Sequence, residues 1–176
     1  MTQFTNYTRS QVAAICKVYG PKIIGLPPGV DGAQLLWAIS GNESSFGVNC
    51  EPRLEPAYWT GQYSHDPAQA KLNQQYGPIA ASSVGPWQLM AVNAAPFGVA
   101  PVEASMQIDK AAQATVGFLS HQLQREKPPS LEMILKMWNS GNWKGAFVPA
   151  QYIVEGVKNY GVALPVEGGA SDTTET

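Results

Sequence analysis

Residues 31–47 read DGAQLLWAISGNESSFG, and this stretch decides the fold. Asp31 precedes an apolar run as a natural N-cap, and Leu35, Leu36 and Ile39 recur at helical spacing. Glu43 stands four positions after Ile39 and seven after Leu36, so it prolongs the buried face of that helix. A carboxyl group is therefore expected near the C-terminal end of a core helix, with Arg53 the nearest following base. Burial and the negative end of the helix dipole both disfavour the carboxylate, which predicts a raised pKa. Cleavage of a glycosidic bond needs such an acid, because the leaving oxygen must be protonated as the bond breaks.

Further helices follow outward from this one. Asp66, Pro67 and Gly77 supply the cap, first position and stop of a second. A longer helix is expected from about Ser105 to Arg125, with Ile108, Ala112, Thr115, Leu119 and Leu123 on one side. Ser130 caps another, whose apolar positions are Leu131, Ile134, Leu135 and Trp138, and a last one holds Tyr152, Val154, Val157 and Tyr160. No run of alternating strands occurs, so the expected fold is mainly α, with a small β excursion between residues 47 and 65.

At 176 residues the chain has room for one ordinary domain. A net charge of −2 leaves no broad basic surface, so nucleic acid is not an expected partner. Without the tail acids Glu167, Asp172 and Glu175, the body carries eleven bases against ten acids. No apolar run suits a membrane span, and MTQFTNYTRSQVAAICKVYG lacks the layout of a secretory signal. Cys16 and Cys50 permit at most one disulfide, which the sequence leaves open. With His65 and His121 they lack zinc-ligand spacing, so neither a metal nor a cofactor is expected. Neither a Gly-x-Ser-x-Gly elbow nor a Walker loop occurs.

Four segments, in order, carry a likeness. ISGNESSFG around Glu43 resembles the Glu-Ser motif of the soluble lytic transglycosylase family, a branch of the lysozyme-like superfamily. SSVGPWQLM, with Gly85, Gln88 and Met90, is similar to that family's Gly-Leu-Met-Gln-x-Met-Pro segment. MWNSGN, with Asn139 and Gly141, is similar to its Tyr-Asn-Ala-Gly turn, and AQYIVEGVKNY, with Tyr152 and Tyr160, to its closing helix. Pro86-Trp87, Ala91 and Trp138 depart from the pattern, and the stretch between Glu43 and Gln88 is longer than in compact members.

The resemblance implies a single lysozyme-like domain over residues 31–161. A helical extension (1–30) packs on it and a flexible acidic tail (162–176) follows. It implies cleavage of the MurNAc-GlcNAc β-1,4 bond of peptidoglycan by Glu43 alone, acting first as acid and then as base, with 1,6-anhydro ends as product. Gln88 and Asn139 would hold the glycan, with Met90 beside them, and Tyr152 would orient the carboxyl. Ser44 would position the sugar or peptide stem, or else satisfy its own helix end. Tyr58 and Trp59 in the inserted EPRLEPAYWTGQY would stack on sugar faces or simply cover the loop. A hydrolytic muramidase using Glu51 or Glu55 as second carboxylate remains open, as does a non-catalytic virion component. The expected partners are glycan strands and other virion proteins. The expected location is a virion or the bacterial periplasm and wall, reached through a phage particle or a holin.

Overall fold

The run following Asp31 forms the helix its spacing predicts. The computed structural model describes residues 4–144 and 147–165. Helix α1 spans Arg9–Tyr19 and α2 spans Gly32–Ser44, where the Asp31 carboxylate accepts from the Gln34 amide at 2.8 Å. Leu35 through Ser40 are buried without interruption, so α2 is wrapped on all sides and does not show a single apolar stripe. Glycines at 20 and 32 let the end of α1 touch the start of α2 backbone to backbone, where any Cβ would collide.

The chain then runs through β1 (Arg53–Leu54), α3 (Pro56–Trp59), α4 (Pro67–Tyr76), β2 (Ser82–Val84), β3 (Leu89–Met90), α5 (Ala91–Ala94) and α6 (Pro101–Met106). Helices α7 (Ile108–Glu126), α8 (Leu131–Ser140) and α9 (Ala150–Tyr160) complete the described chain. Asp66 caps α4, Pro67 opens it and Gly77 follows it, while the Ser130 hydroxyl accepts from Met133 at the start of α8.

The strands make an antiparallel sheet in the order β1-β2-β3, with Arg53 opposite Ser83 and Ser83 opposite Met90. Only β1 falls within residues 47–65, where the β excursion was expected; the other two strands frame the Gly85–Gln88 turn. Strands of two or three residues are too short to reveal alternation.

The helix expected from Ser105 divides as well. Pro101 opens α6, Glu103 accepts from the Ala100 amide, and an extended Gln107 separates α6 from α7. Ser105 therefore belongs to α6, whose short run of apolar residues had merged in the sequence with the stripe of α7.

One apolar cluster gathers Val12, Cys16, Leu35, Leu36, Ile39, Trp87, Leu119, Ile134 and Leu135, so residues of α1 share the core of α2. A second lies under the sheet and includes Ile79, Val84, Leu89, Val99 and Ala114. Trp138 packs against both. Leu164 also packs on the first cluster, and Lys17 Nζ donates to the Pro165 carbonyl at 2.7 Å. The first residues assigned to a flexible tail are thus tied to the body, because Leu164 still has an apolar surface to cover. The rest of that assignment, residues 166–176, lies outside the described residues. Cys16 and Cys50 are free, buried thiols.

Candidate active site

Helix α9 lies along α2 and holds it at both ends. Tyr160 Oη accepts from the Asp31 amide at 2.7 Å, and Tyr152 Oη donates to Glu43 Oε1 at 2.7 Å. A glycine makes this approach possible: a Cβ at position 156 would stand 2.7 Å from Leu135 Cδ1 and 3.0 Å from Asn42 Nδ2. Asn42 Nδ2 also donates to the Tyr152 carbonyl at 2.9 Å, which fixes the ring in register with the carboxylate.

The second carboxylate oxygen faces the sheet. Arg53 Nη2 donates to Glu43 Oε2 at 2.9 Å, and Arg53 Nε donates to Gln88 Oε1 at 3.0 Å. The Glu43 side chain is 9% exposed and that of Arg53 is 58% exposed. Burial raises the Glu43 pKa above the ordinary 4.5, against the opposing pull of the Tyr152 hydrogen bond, of Arg53 and of Trp138. The sequence expectation of a raised value therefore agrees with the geometry. Burial, and then the neighbouring Glu43 charge, push the Tyr152 phenol far up, so it remains a donor.

Glu43 opens into a groove of about 410 Å³. Arg53, Ser83 and Met90, which are in register across the sheet, line one wall with Glu55 and Tyr58. Phe118, Trp138 and Asn139 line the other, and the Phe118 and Trp138 rings meet edge to face at 5.8 Å. Apolar rings and amide groups around a buried acid can grip a neutral polyol and donate a proton to it.

The residues named from sequence separate here. Glu43, Tyr58, Gln88, Met90 and Asn139 line the groove together, and Tyr152 reaches it through Glu43. Gln88 is nearly buried and both ends of its amide are engaged, since Nε2 donates to the Gly85 carbonyl at 3.0 Å while Oε1 accepts from Arg53. Its contact in this state is with Arg53.

Ser44 takes the second of the two roles expected of it, at its own helix end, where its hydroxyl meets the Ser40 carbonyl at 3.1 Å. It is 2% exposed, does not line the groove, and its hydroxyl meets the Pro86 carbonyl at 2.6 Å while accepting from the Gly47 amide at 2.8 Å. One position past Glu43 turns a helical side chain about 100° away, so Ser44 points into the interior and ties α2 to the Gly85–Gln88 turn. Trp87 reinforces the tie, its indole donating to the Leu36 carbonyl at 2.9 Å.

Of the two alternative carboxylates, Glu55 lines the groove and Glu51 does not. Trp59 is also absent from the lining, while Tyr58 stacks on Tyr63 with centroids 4.8 Å apart. The sequence reading missed Arg53 as a partner of Glu43, along with Ser83, Asn93 and Phe118 as lining. The alternating Glu-Pro-Arg-Leu-Glu pattern at 51–55 was the available signal, because residues 53 and 55 of an extended segment share a face.

The fold and site define a mainly helical domain in which a small antiparallel sheet and a helical wall enclose a groove around a buried acid. No protein-family model matches the chain, and no curated protein or solved structure matches it.

Proposed function

We propose that this chain is a peptidoglycan lytic transglycosylase of lysozyme-like architecture. The observation that carries the reading is Glu43, a nearly buried carboxyl at the groove, raised in pKa by burial and hydrogen-bonded by Tyr152. In this reading the protonated carboxyl of Glu43 gives its proton to the glycosidic oxygen as the C1–O bond of N-acetylmuramic acid breaks. The resulting carboxylate then takes the proton of the same sugar's C6 hydroxyl while O6 bonds to C1. The products are a 1,6-anhydro end and a free C4 hydroxyl, Glu43 is protonated again, and no water is consumed. Asn139 and Met90 contact the glycan, Tyr58 stacks on a sugar face, and Tyr152 orients the acid. The partner is the glycan strand of the bacterial wall.

A second reading follows from the place of Glu55 on the groove wall: a hydrolytic muramidase in which Glu55 serves as the other carboxylate. Digestion of purified sacculi followed by mass spectrometry separates the two. Anhydro ends, one water lighter than reducing ends and strongly reduced with Glu43→Gln, are expected. Reducing ends alone would favour the hydrolase, and no release at all would favour a non-catalytic virion component.

A further inference from the structure

An acid that must donate a proton is poorly served by a guanidinium 2.9 Å away, since that cation favours the ionised form. Arg53 has to leave Glu43 before the carboxyl can act, and the groove offers it one other carboxylate. Glu55 lies two residues along the same extended segment, its amide donating to the Ala81 carbonyl at 2.8 Å, so both side chains stand on the groove face. Among the described residues, Glu55 Oε1 is held by a long contact of 3.3 Å from the Ser83 hydroxyl, and Ser83 is the residue opposite Arg53 in the sheet. The Arg53 side chain is more than half exposed, and its described hydrogen bonds go only to Glu43 and Gln88.

Its present position depends on Gln88. That residue sits at φ +46°, a left-handed conformation that non-glycine residues adopt at a cost, and this conformation aims its amide at Arg53. We propose that Arg53 moves between two carboxylates. Gln88 holds it on Glu43 in the free protein, Glu55 receives it when Glu43 acts as acid, and Glu55 is thus a positioning residue working through Arg53. The inference rests on the single-acid reading above.

The charged and titratable groups around Glu43 are few: Arg53 on β1, Glu55 just beyond it, Tyr58 on α3 and Tyr152 on α9, with the Trp138 indole facing in from α8. Arg53 is the one base among the lining residues described. Proton transfer aside, movement of its side chain is therefore the one way these lining groups can relocate a positive charge.

A double-mutant cycle tests this. Sacculus cleavage and the NMR titration of the Glu43 carboxyl carbon are followed in the wild type, Glu55→Gln, Arg53→Gln and the double variant. Glu55→Gln strands Arg53 on Glu43, so its titration moves to lower pH and cleavage at neutral pH falls about tenfold. Arg53→Gln moves the titration to higher pH. In the double variant the Glu55→Gln effect vanishes, with cleavage restored to within about threefold of Arg53→Gln alone.

A Glu55→Gln shift of the Glu43 titration that keeps its full size in the Arg53→Gln background overturns the inference, because Glu55 would then act on Glu43 directly and not through Arg53. Titrations unmoved by Glu55→Gln overturn it as well. Both outcomes are read from the titration whether or not the wild type releases anhydro products. The titration thus decides the role of Arg53, and the digest decides the reaction.

Discussion

The two walls of the groove hold the same carboxylate in different ways. From the helical side, Tyr152 comes from an eleven-residue helix pinned to α2 at both ends, and the residue is half-buried. On the sheet side, Arg53 comes from a two-residue strand and is more than half exposed. The ion pair sets an exposed guanidinium on a nearly buried carboxylate, so its Arg53 half can move into solvent without disturbing the core, whereas a helix–helix contact built on a glycine changes only if the core changes. One oxygen of Glu43 thus has a fixed partner and the other an exchangeable one. That asymmetry suits a group that must stay oriented while its proton comes and goes.

The comparison breaks first at Glu43. Glu43→Gln is expected to lower the release of anhydro muropeptides by roughly 10²–10⁴. The same variant probes the energetics of burial. Because the folded pKa is raised, the unfolded chain loses this proton first as pH climbs past the ordinary 4.5. The wild type therefore loses stability from about that point up to the folded value and levels off above it. Glutamine has no proton to lose, so the melting temperature of Glu43→Gln relative to wild type should be higher at pH 7.5 than at pH 3.5. A difference independent of pH would mean that Arg53 and Tyr152 fully offset the desolvation.

Next in size is the contact that supports the helical wall. Gly156→Ala puts a methyl group against Leu135 and Asn42, and overpacking of this kind costs about 1–3 kcal/mol. Denaturant melts should show that loss, together with reduced cleavage as Tyr152 shifts away from Glu43. If stability is unchanged, α9 is loosely seated and the helical wall is no firmer than the sheet.

How much of this could be read from sequence follows the same division. Helical residues repeat their surroundings every turn, so Asp31, Leu35, Leu36, Ile39 and Glu43 announced a core helix with a buried acid, and Pro67, Gly77 and Ser130 marked boundaries that the structure keeps. The sheet wall had no such periodicity. Strands of two and three residues carry no pattern, and the pairing of Arg53 with Ser83 spans thirty positions of unrelated sequence. Consequently Arg53 is visible in the sequence only as the nearest following base, and the bond from Arg53 to the groove-lining Gln88 has no signal there. The sequence left Ser44 two roles, and its hydroxyl beside the Ser40 carbonyl fits the helix-end one: successive helical side chains point in different directions, so the neighbour of Glu43 in the motif does not share its groove.

Tyr152→Phe keeps the ring and removes only the hydroxyl. Loss of one hydrogen bond of this kind is worth about 1 kcal/mol, so cleavage should fall roughly fivefold with little change in fold. Since that hydrogen bond favours the carboxylate, the alkaline limb of the pH profile should also move up. An activity loss with no movement of the limb would make the phenol a substrate contact and not an orienting donor.

The smallest effect is expected at Gln88, where the walls differ most. Gln88→Gly removes about 1 kcal/mol of left-handed strain, loosens the unfolded chain by a similar amount, and deletes the amide that holds Arg53 and the Gly85 carbonyl. The first two terms nearly cancel, which leaves a net loss of about 1 kcal/mol from the hydrogen bonds. A melt should register a shift of a few degrees at most, while the Glu43 titration moves to higher pH as Arg53 drifts off. A loss several times larger would make Gln88 a strut of the β2–β3 turn. The sheet wall would then be as rigid as the helical one, and Arg53 would have nowhere to go.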